Sequence, residues 1–436
     1  MSLNPIGLAL SAVNRFAGSE LADRLKLRKP AEKIAYLSTR TGFQIISTAN
    51  RELKQLEKML PGTRLNKARK PDLFDLSLSD EQQMIFDSLK RLAQDSIRPA
   101  AAEADEVGNI SPVLWREGLE LGLCQYAVPE QFGGVAHEQA PVTSVLIAEA
   151  LAWGDMGSAA ALLAPYSVAQ VISRWGTAAQ QAQYLPAFAS DTPPIASLAV
   201  DEPVPLFDPL KLNTLARPDS GGYLLQGTKI AVPLADQADF LIVAAELESV
   251  GPRLFLVDRK ASGLTLSQNP GMGLRAADLC RVELDQVRVS SEALIGSEQE
   301  FNYSEFLDLA SLMRCALAVG TSQAVLDYVI PYCNDRIAFG EPISHRQAVA
   351  FAIADLAIEI SAMRLLTWRA ASRAEQGLPF HREAYLARLL CNDKAMLVGS
   401  QGVQLLGGHG FVKEHPVERW YRDLRSVAVL HGGVHA

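Results

Sequence analysis

The residues best suited to chemistry lie close to the C-terminal end, between positions 404 and 433. This stretch opens with a Gly-Gly-x-Gly turn at 407–410 and reaches His431 near its end. Glycines lack a Cβ, so their backbone N–H groups can approach a ligand closely, although most such clusters only end helices. An imidazole, whose ordinary pKa is about 6.5, is suited to abstracting a proton near neutral pH. A lone histidine beside Gly432 and Gly433 more often has no catalytic role, so the residues alone leave both interpretations open.

A second polar group lies between two predicted helices. Arg336 and Phe339 come just before Gly340, and Arg346 and Gln347 stand in the first turn of the next helix. A guanidinium has a planar fork that matches phosphate oxygens. An arginine at a helix end can also simply bind the terminal carbonyl groups. The spacing alone leaves both interpretations open.

The elements that must position these residues follow from periodicity. Ser79 and Gln82 form a capping-box pattern before an apolar helical stripe, and helical spacing continues to about residue 190. Alternating β-rich runs then occupy about 194–290. These predicted strands are Tyr223–Gln226, Phe240–Ala244, Leu254–Val257, Leu264–Leu266 and Arg281–Leu284.

Long amphipathic helices return from about residue 301. They are predicted at Phe306–Tyr332, Ser344–Glu375, His381–Leu406 and Val417–Val429 and indicate a four-helix arrangement. Helices, then strands, then helices predict an α+β protein with a small β-domain between helical layers. The predicted domains are a basic extension (1–74), a helical domain (75–192), a β-domain (193–298) and a helical bundle (299–436).

The N-terminal extension carries its own signals. Residues 1–70 hold 14 Lys/Arg and 5 Asp/Glu, so they carry +9, while the remainder carries −17 of the total −8. Apolar residues spaced by three and four positions predict one helical stripe there. A basic segment of this kind could contact an anionic membrane surface, nucleic acid or the acidic body of the protein itself. We predict no nucleic-acid partner and leave peripheral membrane contact open.

The composition argues against membrane-spanning, secreted, zinc-binding and disulfide-rich classes of protein. No apolar run was found that reaches the roughly 18 residues of a membrane span, and no secretory signal is evident at the N-terminus. The five cysteines are scattered without metal-ligand spacing, which argues against structural zinc and a disulfide framework. We therefore predict a cytoplasmic protein without a metal site.

Several motifs resemble those of the acyl-CoA dehydrogenase flavoproteins. The C-terminal stretch QLLGGHGFVKEHPVERWYRD resembles the family's signature there, and the earlier segments VPEQFGG and NDRIAFG also match in order. The resemblance covers about residues 75–433 and implies the acyl-CoA dehydrogenase fold. It also implies FAD as cofactor, an acyl-CoA thioester as substrate and electron-transferring flavoprotein as electron acceptor.

The resemblance also implies roles for particular residues. His431 stands where the family has its glutamate base, and Asp308 is predicted to contact the substrate. The residues predicted to bind the cofactor are Val200, Asp201, Arg336, Phe339, Arg346, Gln347, Gln404, Leu405, Gly407 and Gly408. In the family, the arginine and glutamine contact the FAD pyrophosphate and adenine side, often across a subunit interface.

Other positions depart from the family pattern. The alternative position of the glutamate holds Ala310, with Ser311 in place of the usual arginine. A flavin-stacking tryptophan is replaced by Ala231, and the adjacent hydroxyl donor is replaced by Pro233. Phe207 stands in place of a loop serine.

Three interpretations follow from these departures. In the first, the protein is an FAD-dependent acyl-CoA dehydrogenase in which His431 is the base. In the second, it is one subunit of a hetero-oligomer with a related chain. We predict either a homodimer or homotetramer, or a hetero-oligomer of this kind. In the third, it is a catalytically silent relative that binds acyl groups, FAD or a partner protein.

Overall fold

The structure is a computed structural model that describes residues 77–136, 140–296 and 301–430. The predicted helical stripe in residues 1–70 and the predicted base His431 lie outside these ranges. The chain divides into two compact units, Met1–Leu73 and Phe74–Ala436, and the description below concerns the second.

Seven helices form the first layer of this unit. The predicted capping box is confirmed, because Ser79 and Gln82 each accept a hydrogen bond from the backbone N–H of the other at 3.1 Å. A π-helical turn joins the first two helices. The helices are α1 (Asp80–Leu92), α2 (Arg98–Val107), α3 (Pro112–Glu120), α4 (Pro141–Gly154), α5 (Met156–Leu162), α6 (Ala164–Trp175) and α7 (Ala178–Phe188).

A seven-stranded sheet follows, and all five predicted strand segments lie within it. Its order is β1-β4-β2-β3-β7-β6, with β5 paired to β4. Strand β4 is parallel to β1 and β2, and the remaining pairs are antiparallel. The strands are β1 (Ala196–Ala199), β2 (Leu215–Asp219), β3 (Gly222–Pro233), β4 (Phe240–Leu247), β5 (Gly251–Asp258), β6 (Leu264–Gln268) and β7 (Leu279–Ser290).

The C-terminal layer is a bundle of three long helices and one short helix, which confirms the predicted helical arrangement. A two-stranded hairpin connects the first two helices. The elements are α8 (Tyr303–Asp335), β8 (Ile337–Ala338), β9 (Glu341–Pro342), α9 (Gln347–Glu375), α10 (His381–Leu406) and α11 (Val417–Ser426). Helix α8 also packs along α4, so it lies at the centre of the unit between the two helical layers.

The prediction that no segment has the length and apolarity of a membrane span is wrong for helix α8. This helix is the one unbroken described helix that passes this test, and 72% of its apolar window is buried within the fold. Burial by neighbouring helices explains the apolar composition, since a helix that is apolar on most sides suits the core of a large protein.

Candidate active site

An apolar cavity of about 280 Å³ lies where α8 faces helices α4 to α6 and one end of the sheet. Helix α8 contributes Ala310, Met313 and Arg314 to its wall. Of the described residues that line it, three are charged: Arg174, Asp201 and Arg314. Arg174 pairs with Glu305, and the other two charged residues of the wall are Asp201 and Arg314. A mostly apolar cavity with few polar groups is typical of small-molecule sites.

A β-bulge shapes the wall that the sheet contributes. The register between β3 and β7 shifts after Lys229, and the bulged residues Ile230 and Ala231 line the cavity. Their N–H groups bind elsewhere: Ile230 donates to the carbonyl of Asp201 at 2.9 Å, and Ala231 donates to Asn269 Oδ1 at 3.0 Å. β-Bulges commonly change the direction of side chains beside active sites. This bulge brings the backbone of β3 to the cavity.

A buried ion pair holds the segment that carries Asp201. Lys229 Nζ donates to Glu202 Oε1 at 2.8 Å and to the carbonyl of Val200 at 3.0 Å. Glu202 also accepts backbone hydrogen bonds from Asn213 and Thr214. Burial alone acts to raise the pKa of Glu202, but Lys229 and these donors bring the pKa below its ordinary value. The pair fixes the backbone at 200–202 and thereby the position of the intervening Asp201.

Arg314 is the least expected residue of the site. Its side chain is only 5% exposed, and its Nη1 donates a hydrogen bond to the carbonyl of Leu430. Its Nε and Nη2 are buried and have no hydrogen-bond partner among the described residues. Burial lowers the pKa of Arg314, although an arginine remains protonated over the physiological range. The cavity therefore contains a cation with two free donors.

A second cavity, of about 910 Å³, adjoins the first. Asp201, Ala231 and Leu430 line both cavities, so Leu430 stands at the boundary between them. The second cavity extends between the loop at 269–274 and helices α10 and α11. Asn392 of α10 lines it, is 2% exposed and has no hydrogen-bond partner at either amide atom among the described residues. A buried amide of this kind requires a hydrogen-bond partner, which an ordered water or a polar ligand can supply.

The structure brings together some of the predicted site residues at these cavities. Val200 lines the first cavity and Asp201 lines both. Asp308 lines neither; its Oδ2 lies 2.8 Å from Nδ1 of His381. Burial raises the pKa of Asp308, and the contact with His381 opposes this shift. In this chain Asp308 therefore binds α10 rather than the contents of a cavity.

The other predicted cofactor residues gather at the far end of the bundle, where α8 and α10 end and α9 begins. Tyr332 links the two helix ends, because its hydroxyl donates to the carbonyl of Leu406 and lies 2.7 Å from His409 Nδ1. Most of the predicted residues here are exposed, whereas the Leu405 side chain is buried in the core. The exposed ones are Arg336, Phe339, Arg346, Gln347, Gln404, Gly407 and Gly408.

This end of the bundle has the features of a phosphate site. A Cβ at Gly407 or Gly408 would meet no atom within 4 Å, so the turn presents open backbone. Arg346 is the N-cap residue of α9 and makes no side-chain capping hydrogen bond, while its Nη2 lies 3.1 Å from Glu341 Oε1. Free helical N–H groups attract anions. At about 1.5 Å rise per residue, Arg336 lies roughly 30 Å along the helix axis from Arg314. One chain therefore does not bring Arg336 to the first cavity, whereas the second cavity reaches Ser400, one turn of α10 before Gln404.

The departures from the family pattern also lie at the cavities. Ala310 lines the first cavity, whereas the neighbouring Ser311 is buried without lining it. Pro233 lines the first cavity and Phe207 the second. His431 lies outside the described residues, and the residue before it, Leu430, is held at the cavity boundary by Arg314.

Three family models match the chain in succession. They are described as the acyl-CoA dehydrogenase N-terminal domain at residues 79–192, middle domain at 197–287 and C-terminal domain at 303–433. The chain belongs to the acyl-CoA dehydrogenase family of oxidoreductases, which confirms the family and the fold predicted from its motifs.

Individual relatives agree with this assignment. The mitochondrial short-chain specific acyl-CoA dehydrogenase of Bos taurus is 30% identical over 366 residues, covering 82% of this chain and 88% of the relative. Butyryl-CoA dehydrogenase from Megasphaera elsdenii has a TM-score of 0.76 at 29% identity, with coverage of 83% and 97%. The FAD complex of PigA has a TM-score of 0.76 at 25% identity, with coverage of 83% and 96%. That complex supports the predicted cofactor at the level of the fold family.

Sequence reasoning missed Arg314 and Asn392. One signal for Arg314 was available, because it is the single charged residue in the otherwise apolar stretch 309–320 of a long helix. A lone cation in such a stretch is expensive to bury and indicates a partner or a function. Asn392 lies in a polar part of α10, where nothing in the sequence distinguishes it.

Proposed function

We propose that the protein is an FAD-dependent acyl-CoA dehydrogenase that removes hydrogen from the α and β carbons of an acyl-CoA thioester. The observation that carries the proposal is the pair of adjoining cavities, with Leu430 at their boundary and His431 as the next residue. The apolar first cavity suits an acyl chain, and the larger second cavity suits the cofactor.

The residues present fit FAD in two places. Asn392 offers an unpaired buried amide in the second cavity, and the open turn at Gly407 and Gly408 lies beside the exposed Arg336 at the far end of the bundle. When bound, FAD supplies the acceptor for the two electrons that leave the substrate. Because Arg336 lies roughly 30 Å along the helix axis from Arg314 in the first cavity, we propose that a second subunit contributes its own phosphate-binding residues to the cofactor site.

His431 is the proposed base. Arg314 anchors the Leu430 carbonyl, and this contact holds the backbone immediately before His431 at the boundary of the cavities. A neutral imidazole can accept the α proton while the β hydrogen leaves with its electron pair, so the acyl group becomes an α,β-unsaturated thioester. We propose an electron-transferring flavoprotein as the onward acceptor.

The proposal is tested by the absorbance of the flavin in the purified protein. We expect bound flavin that loses its yellow colour when acyl-CoA is added. Replacement of His431 by Ala is expected to slow this bleaching by about 10²–10⁴-fold, because a general base is removed. His431→Glu restores the carboxylate typical of the family and is expected to bleach. If both variants bleach at the parent's rate, His431 is not the base.

A catalytically silent subunit is the second candidate. It is favoured by the absence of a carboxylate at Ala310 and by the loss of side-chain contacts at Ala231 and Pro233, all of which line the first cavity. Flavin that is present but never bleached by any acyl-CoA, including with a related subunit added, would favour this candidate. Absence of flavin from the isolated chain would contradict the proposed dehydrogenase activity for that chain.

A further inference from the structure

We propose that Arg314 binds a carboxylate carried by the acyl group, so that the substrate is a short acyl-CoA with a second, free carboxylate. This inference rests on the proposed function for the identity of the thioester, but its central contact is a property of the cavity itself. The observation behind it is a buried guanidinium that lines this mostly apolar cavity and has two donor nitrogens without a hydrogen-bond partner among the described residues.

The geometry of Arg314 selects the kind of ligand. Nη1 is occupied by the carbonyl of Leu430, which leaves Nε and Nη2 without partners. These two nitrogens form one edge of the guanidinium plane, and their parallel N–H groups match the two oxygens of a carboxylate. A single carbonyl oxygen would satisfy this edge incompletely, whereas a carboxylate satisfies both donors and the charge.

The charges around Arg314 do not prevent an anion from binding to it. Asp201 and Arg388 act on its pKa in opposite directions, so an attractive and a repulsive neighbour oppose each other. Neither Asp201 nor any other described residue reaches Nε or Nη2. Arg174, the other cation of the cavity wall, is paired with Glu305. A ligand carboxylate would therefore meet one cation whose hydrogen-bonding edge is free.

The position of Arg314 along α8 limits the length of the acyl group. Ala310 precedes it by one helical turn, so the two residues share a face separated by about 6 Å. Ala310 stands at the alternative position of the family's base, and the Leu430 carbonyl leads directly to His431. Ala310, at the alternative position of the base, and Leu430, the residue before His431 in the sequence, therefore both lie close to Arg314. A carboxylate bound there is only a few bonds from the reacting carbons, which favours a short carboxyacyl group.

Binding of matched ligands to the flavin-loaded full chain tests this inference. The probes are succinyl-CoA against butyryl-CoA and glutaryl-CoA against pentanoyl-CoA, because each pair has equal numbers of acyl carbons and differs in the terminal carboxylate. Calorimetric titration measures the dissociation constants. We expect the carboxylated member of at least one pair to bind the parent at least about tenfold more tightly, since the plain acyl chain leaves the guanidinium edge unpaired.

Variants of Arg314 test whether this residue causes the tighter binding of the carboxylated ligands. Arg314→Met removes the charge and every donor of the guanidinium, including the contact of Nη1 with Leu430. It is expected to weaken binding of the carboxylated ligand by at least about tenfold more than binding of its plain partner, whatever the loss of the contact with Leu430 costs both ligands. Arg314→Gln gives the same comparison if the methionine variant does not fold. Arg217→Met is the matched control, because Arg217 is exposed on β2 and is expected to keep the parent's preference.

Two results would overturn the inference. One is a parent protein with no preference for either carboxylated ligand, whatever its activity. The other is an Arg314→Met variant that binds both members of a pair more weakly by the same factor, which would show that Arg314 only supports the fold. Flavin that is never bleached would contradict the proposed dehydrogenase function, yet a carboxylate preference lost in Arg314→Met would still support this inference.

Discussion

Asp423 shows how a single buried carboxyl couples the domains. Its Oδ1 accepts a hydrogen bond from the backbone N–H of Leu274 at 2.7 Å, which joins α11 to the loop after β6. Its Oδ2 is buried without a partner among the described residues. Burial, reinforced by the negative charge of Asp155, raises the pKa of Asp423 to about 8. The carboxyl is therefore protonated in the folded protein at neutral pH.

This shift predicts a pH dependence of stability. The folded pKa lies above the unfolded value of 3.8, so the folded state binds more protons between these values. Stability is then greatest at the acidic end of this window and falls as the pH rises toward 8, by up to about 1.4 kcal/mol per pH unit. Asp423→Asn keeps an acceptor for Leu274 and does not titrate.

Denaturant unfolding at several pH values between 4 and about 8 measures this effect. The parent is expected to lose stability across the window, and the Asp423→Asn variant is expected to lose distinctly less. Asp208→Asn is a useful control, because Asp208 is partly exposed near Lys211 and lies away from α11. Parallel profiles for the parent and Asp423→Asn would contradict the assigned protonation.

At the scale of elements, the packing of α8 on α4 decides the shape of the central layer. A Cβ added to Gly320 of α8 would lie 2.1 Å from the carbonyl of Glu149 on α4, so the two helices touch through backbone. Glu149 is also bound from α9, where Arg364 Nε and Trp368 Nε1 donate to its carboxylate. Glu149 therefore joins α4 to both neighbouring helices.

Gly320→Ala is expected to destabilise the protein by about 1–3 kcal/mol, because the added methyl group forces α8 away from α4. Thermal or denaturant unfolding measures the change. Gly408→Ala is the matched control for stability, since a Cβ at Gly408 meets no atom within 4 Å. Equal stability of the two variants would show that moving α8 away from α4 does not lower the free energy of unfolding.

At the scale of the whole molecule, Arg314 in the first cavity lies far from the end of the bundle where most of the predicted cofactor residues stand. Arg336 is exposed at that end, roughly 30 Å along α8 from Arg314, and among the described residues its guanidinium has no ion-pair partner. Phe339 beside it is 97% exposed. A large exposed apolar residue next to an unpaired cation is typical of an interface or a ligand site.

We predict that flavin binding depends on assembly of more than one subunit. Arg336→Ala is expected to lower the flavin content of the purified protein by about tenfold or more while leaving the unfolding temperature of the apoprotein unchanged, because a phosphate contact is lost at an exposed position. Absorbance gives the flavin content, and sedimentation gives the subunit number. A fully flavin-loaded monomer would contradict this prediction.

The sequence by itself determined the family, the order of the elements and the local start of α1. Ser79 and Gln82 form their capping box from neighbouring residues, and the β-rich runs became strands because their alternation suits a half-buried sheet. The motifs around Gly407 likewise identify the family from the order of residues alone. These signals are local or carried by residue order, so no tertiary contact is needed to read them.

Only the tertiary structure decided how the site is composed. In the folded chain Asp308 contacts His381, and Asp201 lies at the boundary of two cavities. The Nε and Nη2 atoms of Arg314 have no hydrogen-bond partner among the described residues. Each outcome depends on groups far apart in the chain: Arg314 meets Leu430, and α8 meets the bulge of β3. Burial and pairing are properties of such distant contacts, and for that reason the sequence shows Arg314 only as a lone cation in an apolar stretch, whereas its free hydrogen-bonding edge is seen only in the folded chain.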